Sequence, residues 1–187
     1  NILSIWGQQK QIDALDLVTK ELASQTPGIR AAALHALVDI GSMKGFAALV
    51  DIAKNGNDEE KAFALGSVKK MAGNLGGTGD KQAAGLAFMQ LYGLTNDEQL
   101  RLDAVKGIAA NPVPQAFDVA KDALGQPNLK EAAVEALASV AGALSANKEL
   151  DKAVEAAKLV RDAGAAPETL VRMASTMEGS ALPPEIA

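Results

Sequence analysis

His35 is the only histidine in the chain, and it lies between Leu34 and Ala36 in a run of apolar residues. Metal coordination and Ser-His-Asp proton transfer both need further ligands or partners around an imidazole. His35 therefore reads as a surface or packing residue. The stretch Gly73-Asn74-Leu75-Gly76-Gly77-Thr78-Gly79-Asp80-Lys81 has the glycine content of a phosphate-binding loop. Such a loop requires Gly, four residues, then Gly-Lys-Ser/Thr, opening a helix after a buried strand. Here Asp80 separates Gly79 from Lys81, no hydroxyl residue follows the lysine, and the preceding segment reads as a helix. An inter-helix loop over 74–79 is the expectation.

Carboxylates are plentiful, but pairs such as Asp58/Glu59 and Asp97/Glu98 fall at expected helix starts. There, negative charge complements the helix dipole and caps free N–H groups. The sequence holds no EF-hand loop, His-Glu-x-x-His, Gly-x-Ser-x-Gly or Asn-x-Ser/Thr, and no cysteine for disulfides, thiol catalysis or Cys-based metal sites. No metal or cofactor site is expected. Trp6 is expected to fill the core of the first helix pair or cover its end, and Tyr92 to pack with its hydroxyl outward. With 18 basic residues against 23 acidic ones and a net charge of −5, nucleic acid and anionic membranes are poor partners. No apolar run approaches the ~18 residues that span a bilayer, so no membrane insertion is expected.

The elements that carry these residues follow from a recurring apolar signature. Ala33-Leu34-x-Ala36-Leu37-x-x-Ile40 returns as Ala64-Leu65-x-Ser67-Val68-x-x-Met71, as Ala104-Val105-x-Gly107-Ile108, and as Ala133-Val134-x-Ala136-Leu137-x-x-Val140. Ala33, Ala64, Ala104 and Ala133 are spaced by 31, 40 and 29 residues. Self-similarity at such a period marks a solenoid of stacked small units. Apolar residues make up 48% of the chain and aromatics only 3%, a balance that suits closely packed helices better than sheets.

Signature helices are expected over 29–40, 59–72, 97–110 and 129–144, with mates over 44–54, 80–92, 115–124 and 149–163. A fifth signature helix opens over 167–177. Upstream, 10–23 reads as the second helix of a pair whose first helix is short or cut, within 1–9. Gly41, Gly56, Gly73, Gly125 and Gly164 stand where helices would end in a left-handed residue. Asn128 with Glu131 resembles a capping box, and Pro167 suits a first helical position. Connections this short make consecutive helices antiparallel neighbours. Residues 1–178 are thus expected to form one domain and 179–187, with Pro183-Pro184, a tail or linker. A truncated first pair and such a tail fit a segment of a longer chain.

The run from Ile29 to Gly41, an Arg followed by small residues, Leu two turns on and a closing Ile-Gly, resembles the first helix of a short bacterial HEAT-like repeat. Lys61 and Arg101 recur near the Arg30 position. The resemblance covers about 10–177. It implies an all-α, right-handed α-solenoid of stacked antiparallel helix pairs, about four complete repeats plus partial terminal ones. Tetratricopeptide repeats are the rival, but their Trp-Leu-Gly-Tyr pattern and constant 34-residue period are missing.

In such folds the second helices line the concave surface. Turning Phe46, Leu49, Val50 and Ala53 inward leaves Asp51 and Asn55 outward; the same reasoning turns out Asp118 and Asp122, then Glu155 and Asp162. In register, these six form an acidic stripe able to steer a basic partner. Lys54, Lys121 and Lys158 neutralise part of it, and a plain solvated face is the rival reading. The resemblance implies a non-catalytic scaffold that binds a protein or peptide, or other domains of the same polypeptide, within a larger bacterial protein. The alternative is an accessory domain positioning a neighbouring enzyme domain. HEAT-type glycosylases, lyases and hydroxylases also exist, but a glycosylase needs a basic, aromatic-lined groove and a hydroxylase needs His-Glu pairs absent from this chain.

Overall fold

A computed structural model of the protein describes residues 2–177, which contain eleven α-helices and no strand. The all-α expectation holds. The helices are α1 (Ile2–Gln8), α2 (Leu15–Glu21), α3 (Pro27–Ile40), α4 (Met43–Asn55), α5 (Asp58–Gly77), α6 (Lys81–Leu94), α7 (Glu98–Ala110), α8 (Phe117–Leu124), α9 (Lys130–Ala146), α10 (Leu150–Asp162) and α11 (Pro167–Thr176). Short 3-10 turns at Ile12–Ala14 and Pro114–Ala116 lead into α2 and α8. The expected tail, 179–187, lies outside the described residues. The chain divides into two compact units, residues 1–71 and 72–187.

In the first unit α1, α2 and α4 all pack on α3. Ala33, Ala36, Leu37 and Ile40 of the signature join Leu3, Leu15 and Val18 in the core, with Trp6 and Leu22 half-buried against it. Spacings of three and four place these residues on one helical stripe, so the signature is the buried face. Trp6 thus packs where the sequence suggested. The single helix expected over 10–23 is broken. Lys10 takes a left-handed φ of 50°, and the bonds from Lys10 N–H to Gly7 O and from Gln11 N–H to Trp6 O close α1. The chain restarts only through the 3-10 turn.

In the second unit α9 is the centre. The signature helix α7 lies against it, α11 also contacts it, and α8 and α10 pack on it as well; α6 packs on α7. Val105, Ile108, Leu137, Val140 and Leu144 are fully buried, as are Ala133, Ala136, Ala153, Ala156 and Ala157. Small side chains let the helix axes approach closely, and dispersion contacts accumulate over the whole face. One close approach is at Gly107, where a Cβ would fall 2.4 Å from the Phe88 ring. Only a residue without a side chain fits there.

Several expected boundaries move. Of the five glycines, Gly41 (φ 69°) and Gly164 (φ 79°) are left-handed; Gly56 and Gly125 are not, and Gly73 lies inside a helix. The helix α5 continues to Gly77, so the 74–79 loop shrinks to Thr78–Asp80. Glycine in a helix costs about 1 kcal/mol each, but contact offsets it: a Cβ on Gly76 would sit 2.8 Å from the Asn111 side chain, so the bare backbone lets the two approach. Gly79 (φ 94°) then turns the chain, and the Asp80 side chain accepts from Ala83 N–H to start α6. The box expected at Asn128 and Glu131 does not form. Leu129 N–H bonds Gln126 O, and the N-cap is the buried Leu129, which makes no side-chain cap. A reciprocal box stands instead at α5. Glu60 N–H donates to Asn57 Oδ1 (2.9 Å) and Asn57 N–H to Glu60 Oε2 (3.2 Å). The other Glu60 oxygen accepts from Arg30 Nε at 3.0 Å.

One local arrangement occurs in both units. Ser24 Oγ accepts from Thr26 N–H, and Ser24 O accepts from Arg30 Nη1 (2.7 Å). Thr95 Oγ1 accepts from Asp97 N–H, and Thr95 O accepts from Arg101 Nε (2.7 Å). A hydroxyl residue, five others, then arginine is therefore a shared device, and Arg30 and Arg101 each stand three residues before the signature alanine, in register. Each arginine satisfies a connector carbonyl that no helix bond reaches.

Candidate partner-binding surface

In the first unit Asp51 and Asn55 both lie on the exposed face of α4, joined by a bond from Asn55 Nδ2 to Asp51 Oδ1 (2.8 Å). Phe46, Leu49 and Ala53 are buried and Val50 is half-buried, so the inward and outward faces of α4 are those read from the sequence.

In the second unit α8 and α10 are in contact and carry the other four acids. They divide by role. Asp118 is exposed at the start of α8. Glu155 is bonded across the helices by Lys121 Nζ at 2.6 Å. That hydrogen bond and the carboxylate charge push the Lys121 ammonium up from its ordinary value. Both side chains are about half exposed, so the pair neutralises charge without adding much stability. Asp162 pairs with its neighbour Arg161 at 3.0 Å.

Asp122 is exposed, but one of its oxygens is held from another helix. Tyr92 of α6 is only 5% exposed, and its hydroxyl donates to Asp122 Oδ2 at 2.6 Å. Gln126 Nε2 donates to the Tyr92 oxygen (2.6 Å) and to Asp122 Oδ2 (3.1 Å), while the Arg101 guanidinium lies 4.9 Å above the tyrosine ring. Burial, then the hydrogen bond to Asp122 and its charge, raise the phenol to about 12; Arg101 and Gln126 pull the other way. The hydroxyl expected to point outward instead ties α6 to α8. Nothing in the residue pattern signals this, because Tyr92 and Asp122 stand thirty residues apart and only packing joins them.

The clefts lie elsewhere. One of about 410 Å³ in the first unit is lined by Arg30, Leu34 and His35 of α3 and by Glu59, Glu60 and Phe63 of α5. The His35 ring meets Phe63 edge to face, with centroids 4.6 Å apart at 75°. The histidine thus packs on an aromatic face, the geometry that the ring quadrupole favours. In the second unit clefts of about 340 and 430 Å³ run along the two sides of α9, toward α7 and α11. Glu135 lines both. It accepts from Thr169 Oγ1 (2.5 Å) and is ion-paired to Arg172 of α11. Burial pushes its carboxyl up, but those two hydrogen bonds and the Arg172 charge outweigh it and hold the group below its ordinary value.

Among the described residues no three His, Asp or Glu side chains come together as a metal site requires, and no helix is long and apolar enough to cross a membrane. The open surfaces are therefore of two kinds: a charged face on the mate helices, and shallow clefts between consecutive signature helices. The chain matches no protein-family model, no curated protein and no solved structure.

Proposed function

We propose that the protein is a non-catalytic HEAT-like α-solenoid module that presents its helical surfaces to another protein or peptide. The observation that carries this reading is the set of neighbours of α9: α7 and α11 each contact it, and α8 and α10 contact each other as well as α9. Signature helices meeting signature helices, and mates meeting mates, is what stacked pairs require. The Ser/Thr-to-Arg arrangement repeated at Arg30 and Arg101 supports the same repeat. Surfaces already held by packing lose little ordering entropy when a partner binds.

Within this reading the acidic face of α8 and α10 carries the contact, through Asp118 and Asp162, whose partner is its own chain neighbour Arg161, rather than through Asp122 and Glu155, which are tied to other helices. The test is capture of binding proteins on the immobilised chain, repeated with Asp118→Lys and Asp162→Lys together. Loss of a captured protein with an unchanged circular dichroism spectrum supports the acidic face. Full capture by the variant rejects it.

A further inference from the structure

Asn55 is the last residue of α4, and Asn55-Gly56 is the only Asn-Gly pair in the chain. The peptide nitrogen that follows an asparagine is a latent nucleophile toward the side-chain amide. Glycine hinders that attack least, because no Cβ stands over its nitrogen. The other described asparagines are followed by residues with side chains, and after Asn111 the nitrogen belongs to Pro112, which has no proton to lose.

The fold both requires this pair and restrains it. A Cβ on Gly56 would sit 2.7 Å from the backbone oxygen of Ile52, so the turn admits only glycine. Gly56 N–H donates to that same oxygen at 2.8 Å, which occupies the nucleophile. The leaving amide is held as well, since Asn55 Nδ2 donates to Asp51 Oδ1 one turn back along α4. Neither restraint is deep. Asn55 is exposed, the Gly56 bond is the last of α4, and the next N–H, that of Asn57, turns to Glu60 Oε2 instead. Helix ends of this kind open at little cost.

We propose that Asn55 is a modification site: when the last turn of α4 opens, the Gly56 nitrogen attacks Asn55 Cγ and the side chain deamidates. The new C–N bond closes a succinimide ring, the Cγ–Nδ2 bond breaks, and ammonia leaves with the proton of Gly56 N–H. Water then opens the ring at either carbonyl, leaving aspartate or isoaspartate. Either product loses the donor to Asp51 and sets a second carboxylate four residues from it, at the helix end where the dipole disfavours negative charge. The exposed face of α4 thereby gains charge as the protein ages, and its last turn loosens.

The experiment ages the full chain at neutral pH, native and in guanidinium chloride, then digests it after lysine at mildly acidic pH and weighs the peptide Asn55–Lys61. The native chain accumulates a species one mass unit heavier, with isoaspartate located at position 55 by fragmentation, and does so more slowly than the unfolded chain. Asp51→Ala frees the amide and raises the native rate roughly two- to fivefold, the worth of one exposed hydrogen bond, while leaving the unfolded rate unchanged. Asn55→Gln, whose longer side chain closes the ring poorly, abolishes the mass gain. A peptide that stays unmodified in the native chain while it converts in the unfolded one overturns the proposal. So does a mass gain located at Asn57, a native rate equal to the unfolded rate, or a native rate indifferent to Asp51→Ala.

Discussion

Replacing Tyr92 by Phe removes one hydroxyl from the Tyr92–Asp122–Gln126 network and leaves the ring in place under Arg101. Because Asp122 is at the surface, water takes over its freed oxygen, and the loss at neutral pH is about 1–2 kcal/mol. The pH dependence is the sharper test. The Tyr92 phenol is raised in the folded protein from 10.0 to about 12, so the fold favours the protonated form. Its contribution is complete below pH 10, where the unfolded phenol is also protonated, and is lost as the pH rises from 10 through 12. A displacement of that size corresponds to at most about 2.7 kcal/mol. The advantage of the native protein over Tyr92→Phe should therefore be level up to pH 9.5, vanish near pH 11 and reverse above it. Tyr92 is the only tyrosine, so tyrosinate absorbance at 295 nm after a rapid pH jump reads it alone. In Asp122→Asn the midpoint falls but stays above 10, because burial is the largest cause. A native midpoint near 10, or an advantage over Phe that stays constant to pH 11.5, would refute the network.

Gly107→Ala gains helix propensity, yet it forces the Phe88 ring aside; chemical denaturation should show a net loss of about 1–3 kcal/mol, partly recovered by adding Phe88→Leu. Glu60→Ala removes the capping box and the Arg30 partner together and should lower stability by about 1–2 kcal/mol, with Glu60→Gln recovering roughly half of it. Glu135 is held below its ordinary 4.5, so its contribution is present above that pH and is lost as the pH falls through the folded value. Acid titration of stability should accordingly bring the native protein and Glu135→Gln together below pH 4.5, the native protein being the more stable at pH 7.

The apolar signature was enough to place α3, α5, α7 and α9, because burial of Ala33, Leu37, Ile40 and their counterparts is a periodic property that a sequence displays directly. Faces were legible for the same reason, as the split on α4 between Leu49 and Asp51 shows. Helix ends were less so. A glycine marks an end only where nothing better holds the backbone: the helix runs on through Gly73 to Gly76, where the bare backbone meets the Asn111 side chain. Capping shows the same limit: Asn128 has the right side chain, but α9 begins at the buried Leu129, while Asn57 with Glu60 carries the same pattern and forms the box. The expected stripe of six residues was correct in exposure for Asp51, Asn55, Asp118, Asp122 and Asp162, with Glu155 half-buried. It could not foresee that Asp122 would be claimed by a tyrosine on another helix, since a carboxylate at a given spacing looks the same whether solvent or Tyr92 holds it.

The hydrogen bonds from Arg30 to Ser24 and from Arg101 to Thr95 bear on how such a chain tolerates change in length. Each ties a seven-residue span from connector to helix, so an insertion or deletion between 24 and 30, or between 95 and 101, detaches the guanidinium from its carbonyl and strands both. At Thr78–Asp80 the turn is made by glycine, and extra residues can be looped out at a cost that grows only slowly with their number. Length variants of this protein should therefore accumulate at the α5–α6 junction, and that is the place to splice in a reporter domain or an affinity tag without disturbing the helices on either side.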